Sequence, residues 1–193
     1  MRSEATASAC ELSLEHAQAL RALLVVGAPN TAAAVLRLQY EALLRGGWLV
    51  YSATDAELAR ATGDMSLQGQ ASAQHLPNAK EMLDRLVTMM AAQPALVGLV
   101  SPLQEIRDQS WKAMNSFVHA GLHPLHRSSE GFPAPLADQF VRNSNGMMHM
   151  AARLHARLSL GLGAPVAALE CAFTGFEDCL PMKPKQGGTK KSD

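Results

Sequence analysis

The sequence predicts an all-α fold, a helical bundle of about five long helices plus one or two short ones. Three observations carry that reading. Apolar residues make up 48% of the chain but aromatics only 5%, and the alanine, leucine and methionine that dominate favour packed helices over sheet. Apolar positions recur at helical spacing, with no strand-like alternation. Proline, glycine and small polar residues punctuate the chain at helix-length intervals. At 193 residues the chain is long enough to bury a single core.

In chain order, residues 1–11 are read as an N-terminal extension and residues 12–180 as one helical-bundle domain. A first helix is expected from Leu12 to Val26, with Leu14, Leu20, Leu23 and Leu24 on its apolar side. Gly27 and Pro29 end it, and Asn30 or Thr31 caps a second helix from Thr31 to Ser52. That second helix carries Val35, Leu36, Leu38, Leu43, Leu44, Trp48, Leu49 and Val50. A helix apolar over most of its surface belongs in the middle of a bundle. Gly46 and Gly47 weaken it by on the order of 1 kcal/mol each relative to alanine, which is most easily offset where another helix comes close. A short helix over Asp55 to Thr62 follows, then a long loop from Gly63 to Pro77. Asn78 caps a helix running to about Ala92, and Gln93 to Val100 is a connection. Ser101, Pro102 and Gln104 have the pattern of a helix start, and Gly121 and Pro124 that of its end. A loop from His123 to Pro135 leads to a helical pattern from Leu136 to about Leu162, interrupted at Asn143 to Gly146. A last helix is expected from Val166 to about Leu180. Residues 181–193 form a basic, glycine-containing tail, read as disordered.

Composition excludes several classes. No apolar run approaches the roughly 18–20 residues of a membrane span, and acidic residues stand where a signal peptide needs an apolar core. A cytoplasmic protein without membrane association is expected. Cys10, Cys171 and Cys179 form no C-x-x-C pair, so reduced structural thiols are expected rather than a disulfide framework or zinc site. The 17 basic and 17 acidic residues balance. Setting aside Lys183, Lys185, Lys190, Lys191 and Asp193 leaves 13 basic against 16 acidic, which disfavours general nucleic-acid binding. Between Lys112 and Arg157 the sign reverses, leaving room for a confined basic pocket.

Two constellations stand out. Arg37, Glu41 and Arg45 form an i, i+4, i+8 row on the otherwise apolar second helix. Arg107, Trp111, Asn115 and His119 recur every four residues on the later one. Charges on a central helix are expensive unless paired, and such groups often line an internal site. A polar seam is therefore predicted, with the two rows facing each other. His119, His123 and His126 do not make a metal site, because Gly121 separates the first from the others. No metal and no cofactor are expected. The second constellation is RNSNGMMH, Arg142 to His149. Seven residues on a helix return to the same face roughly 10.5 Å along the axis, so Arg142 is placed to hold a phosphate and His149 to act as a base near neutral pKa. Flexing at Asn145 and Gly146 would bring them nearer.

The segments LRLQYEALLRGGWLVYSA (Leu36 to Ala53) and WKAMNSFVHAGLHPLHR (Trp111 to Arg127) resemble bacterial helical domains of unknown function. These in turn look like the HEPN superfamily of four-to-five-helix nucleotide- and RNA-binding domains. The likeness covers about Leu20 to Arg157 and implies HEPN-like up-and-down packing. RNase members of that superfamily share an arginine, a polar residue and then a histidine, with four to six residues intervening. Arg142, Asn143 and His149 match that spacing, while Gly146 inside the motif departs from it. The resemblance implies a metal-independent endoribonuclease acting as a homodimer in a toxin–antitoxin or phage-defence system, with RNA and a small antitoxin-type protein as partners. The apolar run Gly146 to Ala152 suits a helix packed on a partner subunit. The other reading from the residues themselves is a non-catalytic helical scaffold that binds a protein or small molecule through the polar seam. A metal-dependent bundle enzyme using His119, His149 and Glu41 ranks behind both.

Overall fold

The computed structural model describes residues 1–158 and 163–181. Among them the chain is all-helical, a bundle of nine α-helices and two short 3-10 turns. They are α1 (Arg2–Val25), α2 (Pro29–Tyr51), α3 (Asp55–Ala61), α4 (Leu67–Ala73), α5 (Ala79–Met90), α6 (Val97–Val118), α7 (Leu122–Glu130), α8 (Ala134–Leu158) and α9 (Gly163–Phe173). No described helix is long and apolar enough to cross a membrane.

The second helix is central, as its all-round apolar surface predicts. Leu36, Tyr40, Leu43, Leu44 and Trp48 of α2 are fully buried, and α2 packs against α1, α5, α6 and α8. Its glycines each serve a different neighbour. A Cβ at Gly46 would lie 3.5 Å from both Ala9 Cβ and Cys10 Sγ, and 3.6 Å from Leu154 Cδ2. A Cβ at Gly47 would come within 3.1 Å of Leu99 Cδ2 on α6. Residue 46 therefore has ordinary van der Waals room for one methyl group, and residue 47 does not without movement of Leu99.

The helix expected to start at Leu12 starts at Arg2, so residues 2–11 are packed helix. Apart from Leu20, the face it buries is made of small groups, Thr6, Ala9, Cys10, Ser13 and Ala17, which let α1 and α2 approach closely. Burial pushes the Cys10 thiol up to about 12, keeping it protonated; Cys171 and Cys179 are free and exposed. Arg2 donates to Leu49 O (2.6 Å) and Ala53 O (2.8 Å) and pairs with Asp55 at 2.8 Å. It thereby satisfies carbonyls at the end of α2 and ties them to the start of α3.

Other boundaries also differ from expectation. Pro29 at the first helical position starts α2, and the Asn30 side chain donates to Ser128 Oγ at 3.2 Å instead of capping. The expected long loop after Gly63 contains α4, capped by Ser66. The α5 start is as predicted: Asn78 and Glu81 form a reciprocal capping box. Ser101 and Pro102 do not begin a helix; α6 already runs from Val97, and Pro102 lies inside it. At the far end the left-handed residue is Ala120 (φ 50°) rather than Gly121. The expected loop after His123 is α7, with Pro124 in its first turn, where a missing N–H is harmless. The interruption at Asn143 to Gly146 is absent, and α8 runs unbroken. Ser144 is buried and Asn145 accepts from Arg21 and donates to Cys179 O, so tertiary partners hold turn-forming residues in the helix. The last helix ends at Phe173, short of Leu180. The expected end of the eighth helix at Leu162 and the tail beyond Pro181 lie outside the described residues.

Replacing Gly46 with alanine is expected to raise stability by about 0.5–1 kcal/mol, measured by urea unfolding, because the added methyl finds contact without overlap. A loss of stability would show that α1 and α2 lie closer than described.

Candidate functional site

The seam predicted between the two polar rows forms one wall of a groove between α2, α5 and α6. Arg37 is held from three sides. Its Nε is 2.8 Å from Glu41 Oε1, its terminal nitrogen donates to Asn115 Oδ1, and its guanidinium carbon lies 4.5 Å from the Trp111 ring centroid. Trp111 stands edge-on to Tyr40 at 5.9 Å and 63°, and the Tyr40 hydroxyl donates to Leu103 O at 3.2 Å. Burial pushes the Tyr40 phenol up, so it remains a neutral donor.

The groove encloses about 440 Å³, and Arg37, Glu41, Arg45, Lys80, Arg107 and Trp111 line it. Lys80 pairs with Asp84 at 2.6 Å, while Arg107 lies 3.9 Å from the other Asp84 oxygen. Arg45 is exposed and has no carboxylate within salt-bridge distance among the described residues. The structure thus brings together Arg37, Glu41, Arg45, Arg107, Trp111 and Asn115. His119 does not join them; it is the exposed C-terminal cap of α6. His123 packs on Phe117, with centroids 5.8 Å apart, and His126 pairs with Glu130 at 3.3 Å. Among the described residues no three His, Cys, Asp or Glu side chains converge on one point.

Arg142, Asn143 and His149 lie on α8, which is continuous through the expected flexing point. Arg142 and His149 each engage their own partners. Arg142 Nε contacts Asp138 at 2.7 Å and a terminal nitrogen donates to Asp178 O; the bond to Asp138 first, then neighbouring negative charge, holds its pKa up. His149 stacks on Phe173 of α9 with centroids 4.1 Å apart and planes at 24°. Its Nε2 is 3.7 Å from Glu170, whose other oxygen is 2.9 Å from Arg153 Nε. Burial lowers the His149 pKa, partly offset by Glu170. The segment from α9 to Pro181 therefore occupies the face of α8 that carries Arg142 and His149. Asn143, half-buried, makes no side-chain hydrogen bond among the described residues.

A model of a family of unknown function, DUF6988, matches residues 10–182. The chain belongs to the DUF6988 family. No curated protein and no solved structure matches it. The matched span of this DUF6988 chain includes both the groove and the α8 face, and leaves out Arg2.

Sequence reasoning missed the α5 side of the groove in this DUF6988 protein. Lys80 and Asp84 form an exposed i, i+4 ion pair at the groove's edge. The capping Asn78 fixes where α5 starts but not what lies beside it, so no local signal placed α5 at the seam.

The lowered His149 pKa sets an expected pH dependence. Its proton binds more readily in the unfolded chain, so its contribution to stability is complete above the unfolded value of about 6.5 and is lost as pH falls toward the depressed folded value. Urea midpoints between neutral and mildly acid pH should fall for the wild type and fall less for His149→Phe. Identical slopes would exclude His149 as the cause.

Proposed function

We propose that this DUF6988 protein is a non-catalytic helical domain that binds a small molecule in the groove between α2, α5 and α6. The observation that supports this reading is the immobilised Arg37. An exposed i, i+4 ion pair contributes only a few tenths of a kcal/mol. Arg37 also engages Asn115 and Trp111 from another helix, while about 440 Å³ beside it stays open. Side chains fixed in advance around an open space are the arrangement that reduces the entropy lost on binding. Glu41 is engaged by Arg37 and Lys80 by Asp84, so these groups act as fixed charges, and binding without turnover is the matching activity.

Thermal unfolding against a panel of small metabolite-like compounds tests it. A ligand at a hundredfold excess over its Kd should raise Tm by roughly 5–10 °C, and Arg37→Ala should remove the shift while the variant remains folded by circular dichroism. A panel in which no shift depends on Arg37 would sink the reading.

A second reading is a bacterial HEPN-like, metal-independent and homodimeric endoribonuclease of a toxin–antitoxin or phage-defence system. It gains support from the unbroken α8, which keeps Arg142 and His149 on one face, and from burial that favours the neutral imidazole a general base requires. The α9 segment on that face weighs against it. On this reading the purified chain cleaves RNA in EDTA and His149→Ala loses at least about a hundredfold in rate; cleavage unchanged in that variant disposes of it.

A further inference from the structure

We infer that the groove takes a small organic phosphomonoester, bound as its dianion; this rests on the groove being the binding site. The argument begins with charge. Arg37, Arg45, Lys80 and Arg107 line or border the space, against Glu41 in its wall and Asp84 at its edge. Glu81, which accepts from the Asn78 N–H at the same end of the groove, is a third carboxylate, so four cations against three carboxylates leave one positive charge in excess, in a chain whose formal net charge is zero. Arg37 is neutralised by Glu41. Asp84 serves Lys80 at 2.6 Å and Arg107 only at 3.9 Å. Arg45 has no acidic partner among the described residues. The uncompensated charge is thus concentrated on Arg45 and on the Lys80–Arg107 side, and a phosphomonoester carries close to two negative charges above its second pKa of about 6.

Geometry supplies further donors. The α5 helix begins at the groove, with Asn78, Ala79 and Lys80 all in its lining. The capping box uses the N–H groups of Asn78 and Glu81, which leaves those of Ala79 and Lys80 to an outside acceptor. Arginine matches phosphate through two parallel N–H donors, and the Ala79 and Lys80 N–H groups add uncharged donors beside it. The rest of the lining is apolar. Leu44 and Met82 are buried beneath the groove and Trp111 flanks it, so there is a surface for an organic body as well as a place for the anion. Inorganic phosphate alone would leave that surface uncovered.

Calorimetric titration of the full chain with phenyl phosphate, inorganic phosphate, benzoate and phenol tests the inference at low ionic strength. The expected order of affinity is phenyl phosphate, then inorganic phosphate and benzoate, with phenol weakest. Trp111 emission should change with phenyl phosphate and not in Trp111→Phe, since Trp48 is fully buried. Arg45→Gln and Lys80→Gln alter exposed side chains, so they should keep the wild-type Tm and each weaken phenyl phosphate at least about tenfold. Phenyl phosphate binding that is unaffected in both variants would place the anion elsewhere and overturn the inference. If phenyl phosphate fails to bind while a neutral compound gives an Arg37-dependent thermal shift, the phosphate inference falls and the groove reading stands. If no compound of either kind acts through Arg37, both fall.

Discussion

The enclosure of α2 is the constraint on which the structure depends. Twelve of its 23 residues are buried, so other helices must cover it on nearly every side before its burial yields its full stabilisation of about 25 cal/mol per Å² of apolar surface. α1 supplies the small-residue side, where Ala9 and Cys10 meet Gly46. α6 and α5 supply the leucine side around Gly47, and α8 closes the space with Met147, Ala151 and Leu154. The strip carrying Arg37, Leu38, Glu41 and Arg45 is left incompletely covered. The groove is therefore a consequence of the same packing: it is the place where the helices surrounding α2 do not close.

Burial alone would let such helices slide, and a buried polar thread fixes their register. Gln39, fully buried, donates to Ser144 O of α8 at 2.9 Å and accepts at its own carbonyl from Ser13 Oγ of α1 at 3.2 Å. A slip along any of the three helices would leave buried polar groups unpaired, at about 1–3 kcal/mol each. On the other side the Tyr40–Leu103 bond plays the same part between α2 and α6. That bond also positions Trp111, which rests edge-on against Tyr40 and under Arg37. The orientation of the groove wall thus follows from the core contacts directly behind it.

The central helix, the α5 cap and the contact between the two polar rows were legible because each leaves a strong local signature: all-round hydrophobicity, an Asn-x-x-Glu box, and charges where apolar residues should be. The illegible parts are those where tertiary contact overrides local preference. Residues 2–11 look like an extension because their packing face is Thr6, Ala9 and Cys10 rather than large aliphatics. Asn143 to Gly146 looks like a break because the partners of Ser144 and Asn145 are remote in sequence. Pro102 looks like a start because a preceding 3-10 turn, Pro94–Leu96, has already begun the helix. His119 follows the four-residue spacing of its row, but α6 ends one residue before it. Spacing predicts a shared face only while the helix lasts.

The two candidate faces differ in what already occupies them. On α8 the cation and the imidazole are engaged: Arg142 by Asp138 and a backbone carbonyl, His149 by the ring of Phe173 and the Glu170–Arg153 pair. Chemistry there requires the α9 segment to leave first, giving up a stacked ring and a carboxylate–guanidinium contact. In the groove, Arg37 is oriented by neighbours that leave space in front of it, and Arg45 has no carboxylate partner among the described residues. A preset site needs no prior rearrangement, whereas a covered one gives up existing contacts before it can act. That difference favours binding at the α2–α5–α6 groove over catalysis on α8, and it does so through contacts that the same helical framework holds in place.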